Sequence, residues 1–129
     1  MRRRTALLVL CSLLAAAPAA GQSAKLNASE IEVLLTGNTA VGTWEGQAYR
    51  QYFEPDGTTI FAQNGVRSSR GEWRIDSARD EYQSIWPSDV EWEGWYVMEY
   101  LGDYFWVSKT TPPTPFKILE GQRLAFVPE

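Results

Sequence analysis

Between Trp86 and Asp103 the chain sets carboxylates among aromatic rings: Asp89, Glu91, Glu93, Glu99 and Asp103 are interleaved with Trp86, Trp92, Trp95 and Tyr96. Two carboxylates flanking a glycosidic bond can cleave it as acid and base or acid and nucleophile, while indole and phenol faces stack on the sugar. Other routes are closed by composition. The chain has no histidine, and its single cysteine, Cys11, lies near the N-terminus. Ser-His-Asp and Cys-His nucleophiles are therefore excluded, as are zinc sites built on imidazole or thiolate. The acidic segment also lacks the Asp-x-Asp-x-Asp-Gly spacing of a calcium loop. A simpler account of Pro87 to Gly94 is an acidic solvated loop between two aromatic strands. That account carries more weight, because a glycosidase needs a deep cleft and this domain is small. Trp86, Asp89, Glu91, Trp92, Glu93 and Trp95 stand as a candidate acidic-aromatic segment, with no catalytic residue, metal ligand or cofactor assigned.

The aromatic residues form a second candidate group. All six Trp, six Tyr and five Phe lie beyond residue 20. Tyr49, Phe53, Trp73, Tyr96, Tyr100 and Trp106 fall on alternating positions of strand-like runs, where they could line an apolar pocket with phenolic and indole hydrogen-bond handles. The competing account is that the rings fill the interior of a small barrel, as side chains commonly do. It has a slight advantage in a chain of this length.

The elements that must position these residues are one helix and a series of strands. Asn27-Ala28-Ser29-Glu30 matches a capping box, with Leu26 placed to staple against Ile31. Ile31, Leu34 and Leu35 give a short apolar face, and Gly37 is the stop. After Gly37 the period changes to two. Strands are predicted over Thr39 to Glu45, Ala48 to Glu54, Thr58 to Gln63, Gly71 to Ile75, Glu81 to Trp86, Trp95 to Leu101 and Tyr104 to Lys109. Pro112, Pro113 and Pro115 read as an extended linker, followed by one or two closing strands in Phe116 to Leu119 and Arg123 to Val127. Tight-turn signals between the runs, such as Glu45-Gly46, Asn64-Gly65 and Gly102-Asp103, make the order an antiparallel meander. The fold class is all-β: a small antiparallel meander barrel, lipocalin-like, of seven to nine strands with one short N-terminal helix. Alternation points Tyr49, Gln51, Phe53, Trp73 and Ile75 inward. The runs at Trp95 to Leu101 and Tyr104 to Val107 are apolar on both faces, so their outer face needs a cover: the helix, the proline-rich tail or a partner protein.

Arg2, Arg3 and Arg4, the apolar run Ala6 to Ala16 and the Ala17-Pro18-Ala19 site read as a signal peptide over residues 1–20. It would be cleaved to leave an N-terminal segment, 21–38, and the barrel domain, 39–129. Export to the periplasm or outside the cell is the expected location, with no membrane span after cleavage. Removing those three arginines leaves nine Lys and Arg against sixteen Asp and Glu, a net charge of −7. An acidic surface argues against nucleic acid as a partner. Without cysteine beyond Cys11 the mature domain can form no internal disulfide, so its stability rests on the core.

Three stretches carry a family resemblance: Glu30 to Thr39 with its helix stop, Tyr49 to Thr58 with its Asp-Gly turn, and Gly71-Glu72-Trp73-Arg74-Ile75. Together they resemble a family of small exported proteobacterial domains of unknown function, which implies location and fold and no activity. Members often carry cysteines in the segment matching Glu81 to Met98, and this chain has none there. Gly42-Thr43-Trp44 and Gly71-x-Trp73 are also similar to the Gly-x-Trp of lipocalin-like barrels. The leading functional expectation is a non-enzymatic binding module for an apolar or sugar-like ligand or for an envelope protein. A structural or interaction protein with a filled core and an exposed aromatic docking face is the second expectation, and a carboxylate-dependent hydrolase the third.

Overall fold

Short runs of alternating aromatic and β-branched residues bury one face only when neighbouring runs pair, and tight turns between them make the pairing sequential. The computed structural model describes residues 23–126. Its elements are β1 (Ala24–Lys25), α1 (Ala28–Leu35), β2 (Asn38–Trp44), β3 (Gln47–Phe53), β4 (Thr58–Gln63), β5 (Ser69–Asp76), β6 (Glu81–Ile85), β7 (Glu93–Tyr100), β8 (Asp103–Val107) and β9 (Thr114–Glu120). The expected signal peptide, with Cys11, lies outside the described residues, as does Val127. Strands β2 to β9 form a closed eight-stranded antiparallel meander barrel, as the sequence spacing predicts. Pairing of β2 with β9 completes it, with Ala40 opposite Ile118 and Gly42 opposite Phe116. β1 is an extra strand on the later half of β7.

The helix closes one end of this barrel. Its capping box is complete: the Glu30 backbone N–H donates to Asn27 Oδ1 at 2.9 Å, and the Asn27 N–H donates to Glu30 Oε1 at 2.8 Å. The Ala28 N–H donates to Asp80 Oδ1 at 2.7 Å, tying the helix start to the β5–β6 turn. Gly37, at φ +75°, ends the helix in the left-handed region that glycine adopts most readily. Ile31 and Leu35 are fully buried and join Leu26, Phe53 and Trp73 in one core cluster. Phe53 stands at its centre, edge-on to Trp73 at 5.5 Å and to Tyr82 at 5.6 Å. Trp106 stacks on Phe116 with centroids 4.2 Å apart. The buried indole of Trp73 keeps its hydrogen bond by donating Nε1–H to the Glu54 carbonyl at 2.9 Å.

Three expectations are corrected or narrowed. The proline-rich segment is partly strand: Thr114 and Pro115 open β9 opposite Trp106 and Phe105. Proline is tolerated there because it stands at the strand's start. Residues 122–126 form no strand, because both edges of β9 and of β2 are already paired and a closed barrel offers no free edge. That tail is instead held by Arg50 Nη1 donating to the Arg123 carbonyl at 2.9 Å and by the Arg50 guanidinium over Phe126.

The third correction concerns β7. Trp95 pairs with inward Tyr82, and Val97 pairs with inward Trp106, so Tyr96, Met98 and Tyr100 point outward. The Lys25 ammonium from β1 lies 4.2 Å from the Tyr96 ring centroid. Part of this outer face is therefore covered by β1, while the helix packs on the barrel end.

Candidate functional site

The end of the barrel away from α1 is open. The β2–β3, β4–β5, β6–β7 and β8–β9 connections surround it, and a cavity of about 720 Å³ opens there to solvent. Its upper wall is aromatic. Trp44 and Trp95 come from strands that are not neighbours in the sheet and meet edge-to-face across the mouth at 6.0 Å. Phe61 stacks on Tyr49 at 5.2 Å and meets Trp86 edge-on at 6.2 Å. Gly71 makes room for the Trp86 ring: a Cβ at this position would stand 2.6 Å from Trp86 Cε3 and 2.7 Å from the Ile85 carbonyl oxygen. Glycine in a strand often marks such a close approach.

The floor is polar and buried. Tyr49, Gln51, Tyr82, Ser84 and Trp106 form it, each less than a tenth exposed. Trp106 Nε1 donates to the Tyr49 hydroxyl at 3.1 Å. Gln51 Nε2 donates to Thr59 Oγ1 at 3.0 Å and to the Tyr82 hydroxyl at 2.9 Å, and the Thr59 hydroxyl donates to the Tyr52 carbonyl at 2.9 Å. Desolvation by burial pushes the Tyr82 phenol up to about 12, against the opposing effect of the Ser84 and Gln51 side chains. Tyr49 is raised for the same reason, opposed by its bond from Trp106. Both phenols are neutral at ordinary pH. The charged side chains lining the cavity are Arg70 and Glu93, each more exposed than the floor residues.

The candidate residues separate clearly on this frame. Tyr49 and Trp106 line the cavity, whereas Phe53 and Trp73 lie in the filled core toward the helix, and Tyr96 and Tyr100 face outside. Of the acidic-aromatic segment, Trp86, Glu93 and Trp95 line the cavity. Asp89 builds the loop instead, with its Oδ2 accepting from the Trp86 backbone N–H at 3.0 Å. Glu91 is exposed and borders no part of the cavity. Trp92 lies on the outer wall, with the Arg74 guanidinium 3.9 Å from its ring centroid. The β6–β7 loop therefore straddles the barrel wall, anchored by Trp86 inside and Trp92 outside. Among the described residues, Glu93 is the one acidic side chain lining the cavity, so these residues do not supply it with the carboxylate pair a glycosidase uses.

Trp44, Gln51, Phe61, Arg70, Tyr82 and Ser84 also line the cavity, and none of them belongs to the groups singled out from sequence. A signal existed for two of them: Gln51 lies between inward Tyr49 and Phe53, and Trp44 ends a Gly-x-Trp. Among the described residues, no group of three or more Asp, Glu, His or Cys side chains could hold a metal ion. No helix there is long and apolar enough to cross a membrane.

Fold and site together define a class: a small closed antiparallel barrel with an aromatic core, closed by a helix at one end and open as a cup at the other. No family model matches the chain, and neither a curated protein nor a solved structure matches it.

Proposed function

We propose that this protein is an exported binding module that takes a small, largely apolar or sugar-like ligand into the open end of its barrel. The observation that carries the reading is the cup itself: about 720 Å³, walled by Trp44, Phe61, Trp86 and Trp95 over a floor of hydrogen-bonding side chains. Ligand sites commonly have ~300–1,000 Å³, mostly apolar walls and a few placed polar groups. Ring faces of this kind suit a flat apolar body or the apolar face of a sugar.

Export is supported by Arg2 to Arg4, the apolar run behind them and the Ala17-Pro18-Ala19 site. Membership of the family of small exported proteobacterial domains is part of the same proposal and rests on the three stretches quoted above. A second reading, docking on an envelope protein, is favoured by the outward Tyr100 and Leu101, which are 39% and 70% exposed. Native mass spectrometry of the protein isolated from its own compartment tests both. A reproducible small-molecule adduct on a chain shortened by about 20 residues is expected. Apo protein alone, or a protein complex without adduct, overturns the ligand reading, and an intact N-terminus overturns export.

A further inference from the structure

The cup floor holds hydrogen-bonding capacity that the protein does not use. The Thr59 hydroxyl has one proton and gives it to the Tyr52 carbonyl, so its oxygen must accept from Gln51. This identifies the Gln51 atom facing Thr59 as the amide nitrogen, and that nitrogen's second proton goes to the Tyr82 hydroxyl. Among the described residues, no donor reaches Gln51 Oε1. The Tyr82 hydroxyl accepts from Gln51 and the Tyr49 hydroxyl accepts from Trp106. The Tyr49 phenolic proton has no acceptor among the described residues, whereas the Tyr82 hydroxyl also has the Ser84 side chain beside it. Tyr49, Gln51 and Tyr82 are each more than nine-tenths buried, and all three line the same cavity. Buried polar groups in folded proteins are almost always partnered, so an unused acceptor at Gln51 and an unused donor at Tyr49 on one floor call for a cause.

We propose that the cup takes its ligand head-first, and that the head is an uncharged group carrying both a hydrogen-bond acceptor and a donor, a hydroxyl or an amide edge on an apolar ring system. The inference rests on the ligand reading of the cup given above. The acceptor of the head meets the Tyr49 hydroxyl proton, and its donor meets Gln51 Oε1. No ionised group belongs to the floor, so a charged head would lose its hydration without gaining a counter-ion. The apolar body then lies among Trp44, Phe61, Trp86 and Trp95, with Arg70 and Glu93 left to whatever projects from the mouth.

The test is isothermal titration of the mature protein at pH 7 with three probes on one naphthalene body. 2-Naphthol carries donor and acceptor, 2-methoxynaphthalene an acceptor only, and 2-naphthoate a charge. We expect 2-naphthol to bind about tenfold more tightly than the methyl ether, which leaves Gln51 Oε1 unpaired, and the carboxylate to bind most weakly. Gln51→Met removes the acceptor at similar length and is expected to bring 2-naphthol and its methyl ether to within about twofold of each other. The wild-type series stands by itself if that variant does not fold. Equal affinity for all three probes, or tightest binding of 2-naphthoate, overturns the head-first inference and leaves the cup reading intact. Binding of none of the three overturns both.

Discussion

The two ends of the barrel use the same residue types and differ in what stands behind each ring. At the α1 end, Phe53 has Trp73, Tyr82 and Trp106 as neighbours, and Ile31 and Leu35 of the helix are fully buried with them. At the other end Trp44 and Trp95 touch each other across the mouth, and their remaining ring surface borders the cavity and solvent. Burying an aromatic ring is worth several kcal/mol only when packed atoms replace water on all sides of it. Rings at the closed end therefore stabilise the fold. Rings at the open end are held by the fold and leave part of their surface on the cavity. The inward aromatics thus fall into two populations, with Tyr96, Tyr100 and Trp92 apart from both on the outer face, and the helix determines which end is which.

The largest expected effect separates the two populations directly. Trp73→Ala removes a ring that is 7% exposed and leaves the Glu54 carbonyl without its donor, so we expect a loss of about 3–5 kcal/mol in urea unfolding. Trp44→Ala removes a rim ring with one edge-to-face aromatic partner, and about 1 kcal/mol is expected. The same rim variant should weaken binding of the naphthol probe. Equal stability losses for the two variants would collapse the distinction between the ends.

The boundary between the ends lies at Tyr82, and alkaline unfolding locates it. A phenol whose pKa rises from 10 in the unfolded chain to about 12 in the folded one holds its proton more tightly when folded. Its contribution is fully present below pH 10 and is lost as pH rises toward 12, which is the opposite sense to a salt-bridged carboxylate. Complete loss amounts to roughly 2–3 kcal/mol, and Tyr49 shifts stability in the same direction. Comparing urea midpoints from pH 8.5 to 11.5 for wild type and Tyr82→Phe should show a shallower decline in the variant. Identical declines would mean that water reaches the Tyr82 hydroxyl and that the floor belongs to the open end.

Local pattern reveals some of this architecture and not the rest. The capping box at Asn27, the stop at Gly37 and the period-two runs are short-range signals, and each specifies an element that the chain forms. The side of β7 that faces inward is not such a signal. Its residues are apolar on both faces, and only the register against Tyr82 on β6 and Trp106 on β8 turns Tyr96 and Tyr100 outward. The cup floor was hidden for a related reason. Gln51, Thr59 and Tyr82 come from β3, β4 and β6, and their hydrogen bonds exist only once the barrel closes. Phe61 likewise sits in a strand correctly bounded from sequence, yet whether its ring is backed by a neighbour depends on Tyr49 and Trp86 elsewhere in the chain.

The smallest expected effects use two hairpins with one backbone conformation at opposite ends. Leu101-Gly102 joins β7 to β8 at the closed end, with φ +51° and +86°, and Glu45-Gly46 joins β2 to β3 at the mouth, with φ +50° and +80°. Positive φ at the first position suits Asn or Gly and strains leucine and glutamate, whose Cβ crowds the following carbonyl. Leu101→Asn and Glu45→Asn should each raise stability by about 0.5–1 kcal/mol, read as an increase in urea midpoint. Gains at both sites would show that turn strain is local and independent of which end carries it. Probe affinity is where the two should part. Leu101→Asn is remote from the cup and should leave 2-naphthol binding unchanged, whereas Glu45→Asn alters the residue that follows Trp44 and should shift it. If Leu101→Asn moves the affinity as much as Glu45→Asn does, the ends communicate through the barrel wall, and the open end can no longer be treated as a site mounted on an independent core.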